Sequence, residues 1–146
     1  MTQFWLCILN RENWKVVQEK KIWGVSVRHR NTIKKVKIGD HLLFYLVGEI
    51  TKEKRLPSAI AGKAEVKFPV FKNNTRIFHS PGGKRELYPL RINLTNFQVS
   101  SEEIPFKPLI PELEFITNKK RWSGHLQGKA MRTIPEHDYI LIARKI

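Results

Sequence analysis

Cysteine, acidic side chains and long hydrophobic runs are all scarce in this chain. Cys7 is the only cysteine among 146 residues, which excludes an internal disulfide and a cysteine-built zinc cage and fits a reducing compartment. It lies in the run Phe4 to Leu9, apolar on both alternating sides, so it reads as a buried strand thiol rather than a nucleophile. The run is too short to span a membrane or to act as a signal peptide, and no positive residue precedes it. A cytoplasmic protein is expected, in which the N-x-T matches at Asn73 and Asn93 carry no glycan.

Catalytic patterns are missing as well. His29, His41, His79, His125 and His137 show no HExxH spacing, and neither a G-x-S-x-G elbow nor a P-loop occurs. Ser80-Pro81-Gly82-Gly83-Lys84 is glycine-rich and basic, yet it lacks the length and the Lys-Ser/Thr ending of a phosphate loop and reads as a mobile turn. No catalytic residue, metal ion or cofactor is expected, and an enzyme is the least favoured class.

Acidic residues number 13 against 27 Lys plus Arg, leaving a formal charge of +14 and a pI near 10.2. Such a field draws polyanions and speeds their encounter, without choosing among nucleic acid, anionic lipid and acidic proteins. With 41% hydrophobic and 27% charged residues, the composition is that of a soluble globular chain of one domain, residues 1–146. No repeat, low-complexity tract or linker divides it.

The spacing predicts a strand over Phe4 to Leu9 and a helix capped by Asn10 running to about Lys20, with Leu9 and Trp14 as a hydrophobic staple. Gly39-Asp40 signals a turn into a strand from His41 to Val47. After a basic loop to Pro57, a strand from Ala59 to Phe68 carries Gly62, which implies a bulge or close approach. Glu86 to Phe97 alternates, with Tyr88, Leu90, Ile92 and Leu94 on one side and Arg91, Asn93 and Thr95 on the other, as in a half-exposed strand. Ile104 to Pro108 must run extended, and Pro111 to Phe115 can form a helical turn. Thr133 and Glu136 have capping-box spacing for a final helix, with a strand over Tyr139 to Ile142 as the competing reading. Strands and helices mixed in this way indicate an α+β domain around a small, strongly curved sheet or barrel.

The segment KIWGVSVRHRNTIKKVKIGDHLLFYL, Lys21 to Leu46, combines a tryptophan, a turn, a basic run and an apolar strand. An unstacked base needs a π-face and its phosphates need cations, and both are here. The competing view makes Trp23 a core residue and Arg28, His29 and Arg30 a solvated loop. Together with FWLCILNRENW, ELYPLRI, IPFKPLI and KKRWSGHLQGKAMRTIPEHDY, the segment resembles the EVE-domain proteins, a branch of the PUA-like group related to YTH domains. The resemblance spans nearly the whole chain. It implies a PUA-like β-barrel flanked by helices that binds modified bases in DNA or RNA without chemistry on them.

Carried onto this sequence, the resemblance makes Trp23 the closing face of a nucleobase pocket and gives Gly24, Val25 and Ser26 the contacts to the base edge. Asn10 and Asn13 stand at the start of the first helix, where they either face a base or, for Asn10, only cap the helix. Phe78 is the expected second ring, chosen over Phe71, and Trp122 is the other candidate. Arg28, Arg30, Lys129 and Arg132 are the expected phosphate contacts. The alternative reading is a protein-interaction module that offers a basic surface to an acidic partner, with a small nucleic-acid-modifying enzyme as a more distant one.

Overall fold

A computed structural model of the chain describes residues 2–80 and 85–146. Of the predicted glycine-rich turn, residues 81–84 lie outside the described residues. The strands β1 (Phe4–Leu9), β2 (Ile22–Val25), β3 (His41–Leu46), β6 (Ala59–Val66), β8 (Leu90–Pro105) and β9 (Met131–Thr133) follow the spatial order β2-β8-β6-β3-β1-β9. β7 (Phe71–Lys72) also pairs with β8, and β4 (Glu49–Ile50) and β5 (Arg55–Leu56) form a separate hairpin. Helices α1 (Arg11–Lys20), α2 (Arg30–Ile33) and α3 (Glu136–Ala143) complete an α+β domain.

β1 and β3 lie side by side in parallel between β6 and β9, Phe4 opposite His41 through Leu9 opposite Leu46. A parallel pair needs a crossover, and α1 lies within the connection. The unbroken apolar runs of both strands follow from burial on two faces. Trp5, Cys7, Leu9, Leu42, Phe44 and Leu46 join Trp14, Val17 and Trp23 in one core. Leu6, Leu43 and Tyr45 face a second core with Phe106, Leu113 and Ile142. Cys7 is fully buried, and burial pushes its thiol well above its ordinary pKa, where the reactive thiolate is absent.

Asn10 caps α1, its Oδ1 accepting the Asn13 backbone N–H at 2.8 Å. The helix ends where Lys21 turns left-handed (φ 55°) and donates its N–H to the Val17 carbonyl. Trp14 then lies on β6 at Gly62. A Cβ there would stand 2.9 Å from the indole and 2.6 Å from the Gln98 carbonyl oxygen, and the β6–β8 register shifts between Ile60 and Gly62. The expected bulge and the expected close approach are both present.

Several expectations from the sequence do not hold. Ile104 to Pro108 is extended only as far as Pro105, because Phe106 takes helical angles and Lys107–Glu112 forms a 3-10 helix that includes Pro108 and Pro111. β8 starts at Leu90 rather than Glu86, because Tyr88 is left-handed (φ 50°) and Pro89 has no N–H to pair, and it runs on to Pro105 through bulges. Arg91, placed by alternation on the half-exposed side, is 1% exposed. Thr133 makes no capping box, since it belongs to β9 and α3 begins after Pro135. The helix itself is there, so the competing strand over Tyr139 to Ile142 is not.

Asp40, 1% exposed, ties the chain start to the turn before β3. Its carboxylate accepts the Gln3 backbone N–H (3.0 Å), the Gln3 side-chain amide (3.0 Å), the Lys37 N–H (2.9 Å) and the Trp5 indole N–H (3.0 Å). Asp40→Ala leaves these donors unpaired at the edge of the core. Urea unfolding is expected to show a loss of about 3 kcal/mol, since one buried unsatisfied donor costs about 1–3 kcal/mol and only some of the four regain water.

Candidate nucleic-acid interface

One cavity of about 470 Å³ opens where the start of α1, β2 and the turn after it, the Phe78 segment and the stretch Gly128 to Ala130 converge. Asn10, Asn13, Trp23, Gly24, Val25, Ser26, Arg28, Phe78 and Lys129 all line it. These residues span 120 positions of the chain; β2 is held at the cavity by antiparallel pairing with β8, Trp23 opposite Ile92 and Gly24 opposite Arg91.

Trp23 is both a core residue and a wall. It is 3% exposed and meets Phe44 edge-on, with ring centroids 6.1 Å apart. Its indole Nε1–H and the hydroxyl of Ser26 are buried and have no hydrogen-bond partner among the described residues. Unpaired buried polar groups are rare because each costs desolvation without return. Here both belong to residues of one cavity wall.

Phe78 sits directly on Gly24, where a Cβ would stand 2.7 Å from the ring, 3.0 Å from the Tyr88 carbonyl oxygen and 3.2 Å from Arg91 Cγ. The position accepts only hydrogen. Asn13 holds the Phe78 segment from the other side: its amide donates to the His79 carbonyl (2.9 Å) and accepts the His79 N–H (2.7 Å). Asn13 was expected to face a base, but both ends of its amide are committed to this backbone. It therefore positions Phe78.

Buried Arg91 performs a similar task beneath the ring, donating to the carbonyls of Tyr88, Leu87 and Thr75 and to the Thr75 hydroxyl. One guanidinium thus joins two loops, and its five fixed donors suit it to that role.

The rim is charged. Arg28 and Lys129 are exposed and line the cavity, as does Glu49, whose carboxylate accepts from Arg11 at 3.1 Å. His29 also lines it, and burial first, then Arg28, holds its pKa below the ordinary value, so its imidazole is neutral at neutral pH. Donors, neutral imidazole and one carboxylate can read a polar ring edge between aromatic faces. Ser26 has no partner to act as its base, so nothing among the described residues activates it as a nucleophile.

The other expected site residues lie elsewhere. Arg132 turns away: its guanidinium covers the Phe115 ring at 4.7 Å and donates to the His125 and Thr133 carbonyls. Arg30 is exposed at the start of α2 and does not line the cavity. Trp122 leans on Phe106 (5.6 Å) and lines a second cavity of about 410 Å³. Phe71 belongs to β7 and lines neither.

Lining residues not expected from the sequence include Tyr88, His29, Glu49 and Ala130, and of these Tyr88 had a signal, the YPL step, in which a proline restricts the tyrosine before it. Glu114, His137 and Asp138 bring ligand atoms within 4.8 Å of one another. Both Asp138 oxygens, however, accept backbone N–H groups, of Glu114 and Phe115, so the carboxylate serves the fold. No helix among the described residues is long and apolar enough to cross a membrane.

The EVE-domain model matches residues 3–145. The chain belongs to the EVE-domain family. It is similar to a UPF0310 protein of Pyrococcus abyssi, with 53% identity over 95% of this chain and 96% of the relative. Among solved structures it resembles human THYN1 in complex with 5-methylcytosine-containing DNA, with a TM-score of 0.63, 14% identity and 98% and 96% of the two chains covered. The Mmi1 YTH domain gives 0.55, with 10% identity over 98% of this chain and 74% of that one. The curled mixed sheet with its few helices is accordingly the PUA-like fold.

Gly24→Ala tests the close approach that shapes the EVE-domain cavity. In an ordinary strand alanine is preferred to glycine by roughly 0.5–1 kcal/mol. Here the methyl group meets a ring and a backbone carbonyl, so urea unfolding is expected to show a loss of about 2 kcal/mol, the usual cost of overpacking.

Proposed function

We propose that this EVE-domain protein is a non-catalytic nucleic-acid-binding module that takes a modified base into the cavity beside Trp23. The observation that carries the reading is the pair of buried groups without a partner among the described residues, the Trp23 Nε1–H and the Ser26 hydroxyl, on two residues that line a cavity with Phe78. A base supplies the acceptors they lack, and the rings supply its stacking faces. The human THYN1 complex, of the same fold, holds DNA with 5-methylcytosine and supports a methylated base as the first ligand to try.

Affinity and choice then have separate sources. Arg28 and Lys129, with the net charge of +14, attract the phosphates of any strand, whereas the cavity discriminates between bases. A base within a duplex must first be extracted at a cost of a few kcal/mol, so single strands and disturbed pairs bind best. Trp23 is too deeply buried for Trp23→Ala to leave the core intact, and Trp23→Phe is the usable variant.

Ser26→Ala separates a binding role from a structural one. Deleting a buried hydroxyl that has no partner leaves the free protein as stable as before or up to about 1 kcal/mol more stable. The same change removes a contact to the base, and affinity for a single strand with one 5-methylcytosine falls about five-fold, the worth of one hydrogen bond. In the same titrations Arg28→Ala with Lys129→Ala weakens methylated and plain strands by equal factors. Unchanged affinity in Ser26→Ala and in Trp23→Phe would remove the base from this cavity.

A further inference from the structure

We propose that the second cavity receives the nucleotide adjacent to the one held at Trp23, so that the chain grips two consecutive nucleotides with Lys129 at the phosphate between them. The proposal rests on the first cavity being a base pocket. The two cavities, about 470 and 410 Å³, share the wall residues Ile8, Val47, Gly128 and Lys129. Consecutive nucleotides are joined by a single phosphate. An ammonium on the common wall lies where a strand spanning both cavities must bring that charge.

The second cavity has its own aromatic face. Trp122 is only half-buried, and Phe106, itself fully buried, supports it at 5.6 Å and meets Tyr45 at right angles, 4.8 Å between centroids. One cluster of rings therefore rests on the core and still lines an open space. Its position is fixed by the turn Trp122–His125, where the Arg121 N–H donates to Asn118 Oδ1 (3.1 Å) and the Asn118 N–H donates to His125 Nε2 (3.2 Å).

Charge points to the same occupant. Lys129 is the cation that lines the cavity, and Lys120 and Arg121, both exposed, directly precede Trp122 in the chain. Aromatic faces interleaved with cations suit a single strand, whose bases stack in turn while its backbone is neutralised. The polar side chains Ser123 and Gln127 complete the wall without a second built-in charge. Such a face holds a neighbouring base through its π-surface, with little dependence on which base it is.

The experiment measures affinity for short single strands of DNA with one central 5-methylcytosine, in which the nucleotide on either side is replaced by an abasic site. In the parent protein an abasic neighbour on one side is expected to weaken binding about ten-fold, one stack, and on the other side to have little effect. Trp122→Ala is expected to weaken the intact strand by the same factor and to show no further loss at the abasic strand. Trp122→Phe keeps a ring against Phe106 and retains the abasic penalty, which separates a lost stacking face from a damaged fold.

An abasic penalty of equal size in the parent and in Trp122→Ala would overturn the proposal. So would indifference of the parent to both abasic positions; if Trp23→Phe still weakened binding in that case, the base pocket would stand and only the second subsite would fall. Loss of all strand binding in the parent would overturn both.

Discussion

Hydrogen in place of a side chain at residue 24 is the constraint from which the cavity follows. Phe78, the Tyr88 carbonyl and Arg91 close on that position so tightly that a Cβ would stand 2.7, 3.0 and 3.2 Å from them. Because the ring lies flush on β2, its neighbours can be fixed by two backbone clamps, the Asn13 amide on His79 and the Arg91 guanidinium on the carbonyls of residues 75, 87 and 88. The Phe78 side of the cavity is therefore tied to α1 and to β8. Two residues of its wall, Trp23 and Ser26, keep a buried indole N–H and a buried hydroxyl that have no partner among the described residues.

The layout of the sheet explains why such a site can exist in a domain this small. β1 and β3 are buried on both faces, so two cores share one pair of strands, and the cavity is bordered by residues of the first core, Leu9, Trp23, Val25 and Phe78, and by Ile8 and Val47 beside the second. Trp23 belongs to one core and Trp122 borders the other. The charge excess is a separate matter. It resides on exposed side chains such as Arg28 and Lys129, where a positive field attracts polyanions and speeds their encounter.

Much of the fold was legible because local signals and burial agreed. The two-sided apolar runs of β1 and β3, the Asn10 cap and the strain relieved at Gly62 each had a direct signature in the chain. Tertiary pairing hid the rest. β2 is four residues long, and its Trp-Gly step reads as a turn until Ile92 and Arg91 are seen opposite it. Arg91 itself, a cation in an alternating strand, looks solvent-facing, yet neutral carbonyls surround it. For the site, Trp23, Gly24, Ser26, Phe78, Arg28 and Lys129 were expected together and do line one cavity. Asn13 and Arg132 were expected to face a ligand but have their polar atoms committed to backbone carbonyls and amides. Side-chain direction of that kind is not written in sequence order.

The most direct test of the account is to follow the four indole N–H resonances by NMR while a single strand containing one 5-methylcytosine is added, with the unmethylated strand as reference. The Trp23 Nε1–H, without a partner among the described residues, is expected to move most and in the direction of a newly formed hydrogen bond, with the Ser26 amide following, and to move less with the unmethylated strand. Shifts confined to the exposed arginines and lysines, identical for the two strands and absent at Trp23, would contradict it.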